Sequence, residues 1–308
     1  MTMKATRRIY LILLPVFLLA IFSCKKTQEN SPGPGNRLTS ETVYGGNHMI
    51  IISKKYHYSG NFLDSVTQQS IWENKTYVWR NKYSNGLLQE VSVYELINQQ
   101  FKPIRHLSVL QYSNGIPATI QDESYFGQDT VVQRAIYTYT YNAQGQLSQF
   151  NKYVLTGSTQ TLIGQSDFTY EGSNRKQIHS NHPLGAPFGD MIDDYTWSEN
   201  HLLQNTKTLN TYLGWVNNSR STYEYDGDRV SNYTYIQWNE TWQPMFSTAI
   251  IYNADGNISE QISTPSSTLY AGSKNVFTYT QGTPLNRSFI LVTIPEWPLN
   301  SPVIPTPP

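Results

Sequence analysis

A single cysteine in 308 residues excludes an internal disulfide framework and any cysteine-based zinc cluster. Charge is scarce as well: Asp, Glu, Lys and Arg make up 14% of the chain, against roughly 25% in an ordinary soluble domain. The formal net charge is zero and no block of Lys or Arg stands out, so nucleic acid is not an expected partner. No phosphate-cradling glycine loop, nucleophile elbow or His-Glu-x-x-His helix occurs, and no cofactor is expected. The one long apolar run, Ile9 to Phe22, has fourteen residues. As a helix it would reach ~21 Å, short of the ~30 Å hydrocarbon core of a bilayer. What the chain has in excess is aromatic residues, at 13% with 23 Tyr and 7 Trp.

Lys4, Arg7 and Arg8 precede the apolar run, and Ser23 and Cys24 follow it. This order reads as an export signal over residues 1–23. Ile21-Phe22-Ser23-Cys24 resembles the lipobox of bacterial lipoproteins, in the form found in the Bacteroidota. The resemblance implies that cleavage leaves Cys24 as a lipidated N-terminus and that the protein meets a membrane through this anchor. An outer-membrane lipoprotein is the expected location, with the periplasmic or surface face left open. Loss of the signal leaves 19 basic and 22 acidic groups, a net −3. Residues 24–41 hold Pro32, Gly33, Pro34 and Gly35 and have little apolar content, which reads as a flexible tether.

Residues 42–282 repeat themselves. Tyr-Ser-Asn-Gly stands at 83–86 and 112–115, Tyr-Asn-Ala-Gln-Gly at 141–145 and Tyr-Asn-Ala-Asp-Gly at 252–256. With Tyr58, Tyr170, Trp197, Tyr225 and Tyr279 they make nine aromatic anchors, spaced 25 to 29 residues apart. Two residues before the anchor the side chain is apolar in eight of nine repeats, as at Tyr139, Phe168, Tyr223 and Phe277. That period of two is the mark of a half-buried strand ending at the anchor. Asn, Asp and Gly after the anchor supply a tight hairpin turn, and an apolar residue such as Leu87, Leu147 or Val230 opens a second strand. A second aromatic lies ten or eleven residues before four anchors, at Trp72, Phe101, Trp215 and Trp242, and its recurrence suggests core filling.

The Tyr-Asp/Asn-x-x-Gly-x-Leu/Ile pattern, clearest at Tyr141 to Leu147 and Tyr252 to Ile258, resembles the YD repeats of RHS-type proteins and of exported Bacteroidota proteins. The resemblance covers about residues 50–282 and implies long β-sheets that curl into a shell. The expected fold is all-β: an antiparallel hairpin array of about nine repeats, forming a coiled or spiralling sheet. Nine two-stranded repeats are too many for one open twisted sheet, and a propeller blade needs more residues than one repeat holds. Residues 283–308 read as a terminal capping strand, Phe289 to Ile294, and a Pro-rich tail.

Candidate sites are few. His179, His182, Asp190, Asp193 and Asp194 crowd the 170–197 repeat and could gather around a metal ion, or be the polar content of an inserted turn. Trp238, Trp215 and Trp242 could stack on sugar rings, with Trp238 the favoured one because it stands outside the repeat register. Ser65 and Thr130, in Asp-Ser-Val and Asp-Thr-Val, resemble a Bacteroidota O-glycosylation sequon. No catalytic residue is expected. The reading is a non-enzymatic, lipid-anchored envelope protein whose extended repeat surface binds a protein or a glycan. Two alternatives stand beside it: a carbohydrate-binding component of polysaccharide uptake, and an envelope enzyme with its site in the 170–197 repeat. Oligomeric state is not legible.

Overall fold

The computed structural model describes residues 36–281, apart from 47, 72, 127–129, 182–189, 212–213 and 268–271. Contacts divide the chain into residues 1–33 and 34–308, and every strand belongs to the second unit. Eighteen strands follow one another: β1 (Asn36–Gly45), β2 (Ile50–Ser59), β3 (Phe62–Ser70), β4 (Lys75–Ser84), β5 (Leu87–Ile97), β6 (Gln100–Ser113), β7 (Ile116–Phe126), β8 (Thr130–Tyr141) and β9 (Leu147–Thr156). Then come β10 (Thr159–Glu171), β11 (Asn174–Asn181), β12 (Asp190–Ser198), β13 (His201–Thr211), β14 (Gly214–Asp226), β15 (Arg229–Asn239), β16 (Thr241–Tyr252), β17 (Ile258–Pro265) and β18 (Ser273–Gln281). No helix occurs among the described residues. The signal segment with Cys24, the second-register Trp72, His182, and the expected capping strand at 283–308 lie outside them.

Each strand pairs antiparallel with its neighbours in sequence, and β18 pairs with β1, so the sheet is a closed barrel. This corrects the expected spiral. The closing strand begins at Asn36, inside the stretch read as tether, where polar residues such as Arg37, Ser40 and Glu41 mask its strand character. A spiral leaves two edges of unpaired backbone groups, whereas β1, held by β18 on one side and β2 on the other, leaves none.

The nine anchors explain the repeat physically. Every anchor but Tyr170, which faces Arg175, lies opposite an apolar residue near the start of the next strand, as Tyr58 lies opposite Leu63 and Tyr83 opposite Leu88. Its polar tip then reaches back to the previous hairpin. Tyr58, Tyr83, Tyr141, Tyr170, Tyr225, Tyr252 and Tyr279 donate their hydroxyls to the carbonyls of Leu38, Leu63, Pro117, Leu147, Leu202, Val230 and Ile258 at 2.9–3.1 Å. Tyr112 donates to Leu88, and the Trp197 indole donates to the Arg175 carbonyl at 2.6 Å. The ring closes within this pattern, because Leu38 lies opposite Tyr279 just as Leu63 lies opposite Tyr58. At the turns Asn85-Gly86 and Asn114-Gly115 all four residues have positive φ, the backbone that selects Asn and Gly for two-residue hairpins.

Cross-strand partners share a face of the sheet and successive residues alternate. Leu63, Val91, Leu107, Ile120, Tyr139, Phe150, Ile178 and Leu202 are buried by the chain itself, which makes their face the inner one. They cluster toward the rim that carries the anchor hairpins, here the anchor rim. Farther along the even strands an extra residue interrupts the ladder: Ile104 in β6, Val132 in β8, Ile163 in β10, Asn218 in β14 and Met245 in β16. Each such bulge reverses the alternation beyond it. In that far half the outer face takes Tyr94, Leu96, Phe101, Tyr125, Ile136, Tyr153, Leu155 and Leu162 along β5–β10, and Trp215, Ile236, Trp238 and Trp242 along β14–β16. The expectation that Trp215 and Trp242 fill the core is therefore corrected. Both stand ten residues from an anchor, an even number, but Asn218 and Met245 intervene and turn them outward.

Candidate binding surface

The outer wall has two zones. Toward the anchor rim it is mainly polar, with Ser92, His106, Gln121, Thr138, Asn151, Gln165, Gln177, Thr206 and Thr234 facing out and Leu110, Leu203 and Ile251 exposed among them. Toward the far rim lie the outward aromatics and aliphatics. Single exposed apolar side chains are ordinary, but a zone of them marks a contact surface.

Three Trp meet on β14–β16. Trp238 lies opposite Trp242 across the tight β15–β16 turn, with ring centroids 5.0 Å apart and planes at 72°. Arg220 of β14 spreads its guanidinium over Trp242, 4.4 Å from the ring centre. Trp215 is 48% exposed, and its ring lies 6.5 Å from that of His179 on β11. On the opposite side of the ring, β4–β6 repeat the arrangement. Arg80 lies 4.2 Å from the centre of Phe101 and 5.5 Å from that of Tyr94, and these two rings meet edge-on at 5.8 Å. Pro103 and Pro244 stand two residues beyond Phe101 and Trp242. The sequence singled out the Trp residues but not Arg220, Arg80 or Tyr94. Arg80 stands three residues before an anchor and Arg220 five, so the repeat register carries no signal for either.

The proposed metal ligands separate. His179, Asp190 and Asp194 face outward, with His179 Nε2 4.0 Å from Asp190 Oδ2 and Asp194 accepting from Gln177 at 2.8 Å. Asp193 faces inward and is buried, 3.8 Å from Lys207 and 3.4 Å from the Asn205 amide, with its second oxygen unpaired. Burial pushes its carboxyl above the usual range, although Lys207 opposes the shift. Opposite faces of one sheet cannot serve one ion, and no three His, Cys, Asp or Glu converge among the described residues. Another inner cluster is paired: Arg105 donates two bonds to Asp122, at 2.9 and 2.8 Å, and Tyr137 donates a third at 3.3 Å. Ser65 faces outward on β3, and Thr130 is exposed at the start of β8, so both hydroxyls reach the surface. A shallow outer depression on β2–β3 is lined by Ser53, Lys55, His57, Thr67 and Gln69.

No family model and no curated protein matches the chain. Solved structures to which the chain bears some likeness include a porin-like protein from Bacteroides uniformis, at 9% identity and TM-score 0.42, covering 80% of this chain and 99% of that one. They also include a TcdB2-TccC3-Cdc42 chain, at 12% identity and TM-score 0.20, covering 74% of this chain and 15% of that one. At these scores neither likeness bears on activity.

Proposed function

We propose that the chain is a non-enzymatic, lipid-anchored protein of the bacterial cell envelope, built from YD-like repeats, whose outer wall binds a glycan or a protein. The observation that carries this reading is the outward aromatic zone of the far half, centred on Trp215, Trp238 and Trp242. Core aromatics need no such orientation, and open rings beside polar groups suit ligands with both apolar faces and hydroxyls. Asn36 enters at the anchor rim, twelve residues after Cys24, a span of at most ~43 Å.

Lipid labelling with fractionation tests the anchor, and a glycan array probed with the full chain tests the surface. The native chain is expected to carry label and sediment with membranes, while Cys24→Ala carries none and stays in solution. Label on Cys24→Ala would overturn the anchor. A Trp215→Ala, Trp242→Ala double variant is expected to lose array binding, and unchanged binding would overturn the surface.

A further inference from the structure

We infer that Arg220 with Trp242 and Trp238, and Arg80 with Phe101 and Tyr94, are two copies of a subsite for the carboxylate-bearing sugars of an acidic polysaccharide. This rests on the reading of the outer wall as a binding surface and names the ligand class it takes.

The first ground is the state of the two guanidinium groups. Arg105 is satisfied by Asp122 and Arg134 by Glu123, each at 2.8 Å. Among the described residues Arg220 and Arg80 have no hydrogen bond or ion pair, and the buried Nε of Arg220 is unpaired. Neighbouring outward acids are engaged elsewhere: Glu90 accepts from Lys82 at 2.8 Å and Glu224 from Asn232 at 3.3 Å. Stacking on a ring holds the planar fork in place and leaves its edge free, which suits a carboxylate bound through two parallel N–H···O bonds.

The second ground is that each free fork has an aromatic companion. Trp238 stands edge-on to Trp242, and Tyr94 edge-on to Phe101. A uronic acid carries its carboxylate on a rigid ring with apolar C–H faces, so one residue can meet both the fork and an aromatic face. Hydroxyls for the remaining sugar oxygens flank the forks, with Thr206 and Arg220 cross-strand partners and Ser65 and Ser92 on either side of Arg80. An acidic peptide would satisfy the fork while leaving the rings unused. The third ground is duplication: the arrangement occurs on β4–β6 and again on β14–β16, on opposite sides of the ring. Two subsites so placed favour a polymer, through avidity, over a free sugar acid.

Affinity electrophoresis of the full chain through gels holding polygalacturonate, dextran sulfate, neutral dextran or poly-L-glutamate tests the inference. Polygalacturonate is expected to retard the protein most. The Arg80→Lys, Arg220→Lys double variant keeps both charges but lacks the fork and is expected to lose at least about tenfold in affinity, while Arg134→Lys, whose guanidinium is already ion-paired with Glu123, is unaffected. Circular dichroism checks that the variants fold. Equal retardation by dextran sulfate or poly-L-glutamate, or polygalacturonate binding untouched by the double variant, would reduce the effect to net charge and overturn the subsites. Binding of neutral dextran alone would overturn the carboxylate while leaving the outer-wall reading standing, whereas loss of all glycan binding would count against both.

Discussion

Strand β14 turns Tyr223 and Tyr225 inward near the anchor rim, and eight residues before Tyr223 the same strand turns Trp215 outward. The two halves of the wall thus use one amino-acid pattern for opposite purposes. In the anchor half, rings and Leu side chains are buried and each anchor tip is tied to a backbone carbonyl. In the far half the rings stand outside, with Arg rather than carbonyl groups beside them. One unpaired residue, Asn218, separates the two regimes. A bulge is therefore a means of moving hydrophobic side chains from the core to a binding surface without changing the alternation written in the sequence.

Phe150→Ala against Trp215→Ala is the widest expected contrast. Phe150 is 2% exposed and packs against Tyr137 and Tyr139, so its truncation should cost ~3–5 kcal/mol in denaturant unfolding. Trp215→Ala should cost no more than ~0.5 kcal/mol, and parity between the two would break the comparison. Deleting Asn218 should follow, at about 1–3 kcal/mol, because it restores the alternation and drives Trp215 toward the interior. An indole emission maximum shifted to the blue would accompany the loss.

Removing an anchor hydroxyl should cost less. Tyr225→Phe gives up one bond to the Leu202 carbonyl, worth ~0.5–1.5 kcal/mol, and far-half Tyr94→Phe, whose hydroxyl bonds to none of the described residues, should cost nothing measurable. Burial also pushes the anchor phenols of Tyr58 and Tyr112 up to about 12. A raised folded-state value means that the stability from these groups is whole below the ordinary value of 10.0 and is lost as pH rises through 12. Alkaline unfolding accompanied by a step in phenolate absorbance checks this.

Asp193 carries the smallest expected effect. Its carboxyl is raised by burial, so what it contributes is present below the ordinary 3.8 and lost as pH rises through its folded-state value. Asp193→Asn should be the more stable form at pH 7, with the advantage gone below about pH 4. Denaturation midpoints across that range read it directly.

The repeat, its period, the strand ends and the hairpin turns were all legible, because anchors and turn residues are set by local backbone and hydrogen-bond demands. Tyr141-Asn-Ala-Gln-Gly and Tyr252-Asn-Ala-Asp-Gly announce their turns unaided. Closure was not legible, since β1 is marked mainly by Leu38, Val43 and Tyr44 among polar residues and its partner β18 lies at the other end of the repeat domain. Nor was the direction of Trp215 and Trp242. A bulge residue such as Asn218 or Met245 has no composition of its own, so counting by twos past it places every later side chain on the wrong face. His179 and Asp193 illustrate the same limit: they are close in sequence, yet the sheet puts them on opposite sides.

The reversal of faces along one strand is tested most directly by cysteine accessibility. Because the chain has one cysteine, a Cys24→Ser background accepts Trp215→Cys or Tyr223→Cys as its only thiol. Maleimide labelling of the folded protein is predicted to be fast at position 215 and to occur at position 223 only after denaturation. Equal rates at the two positions, or protection at 215 with access at 223, would contradict the account.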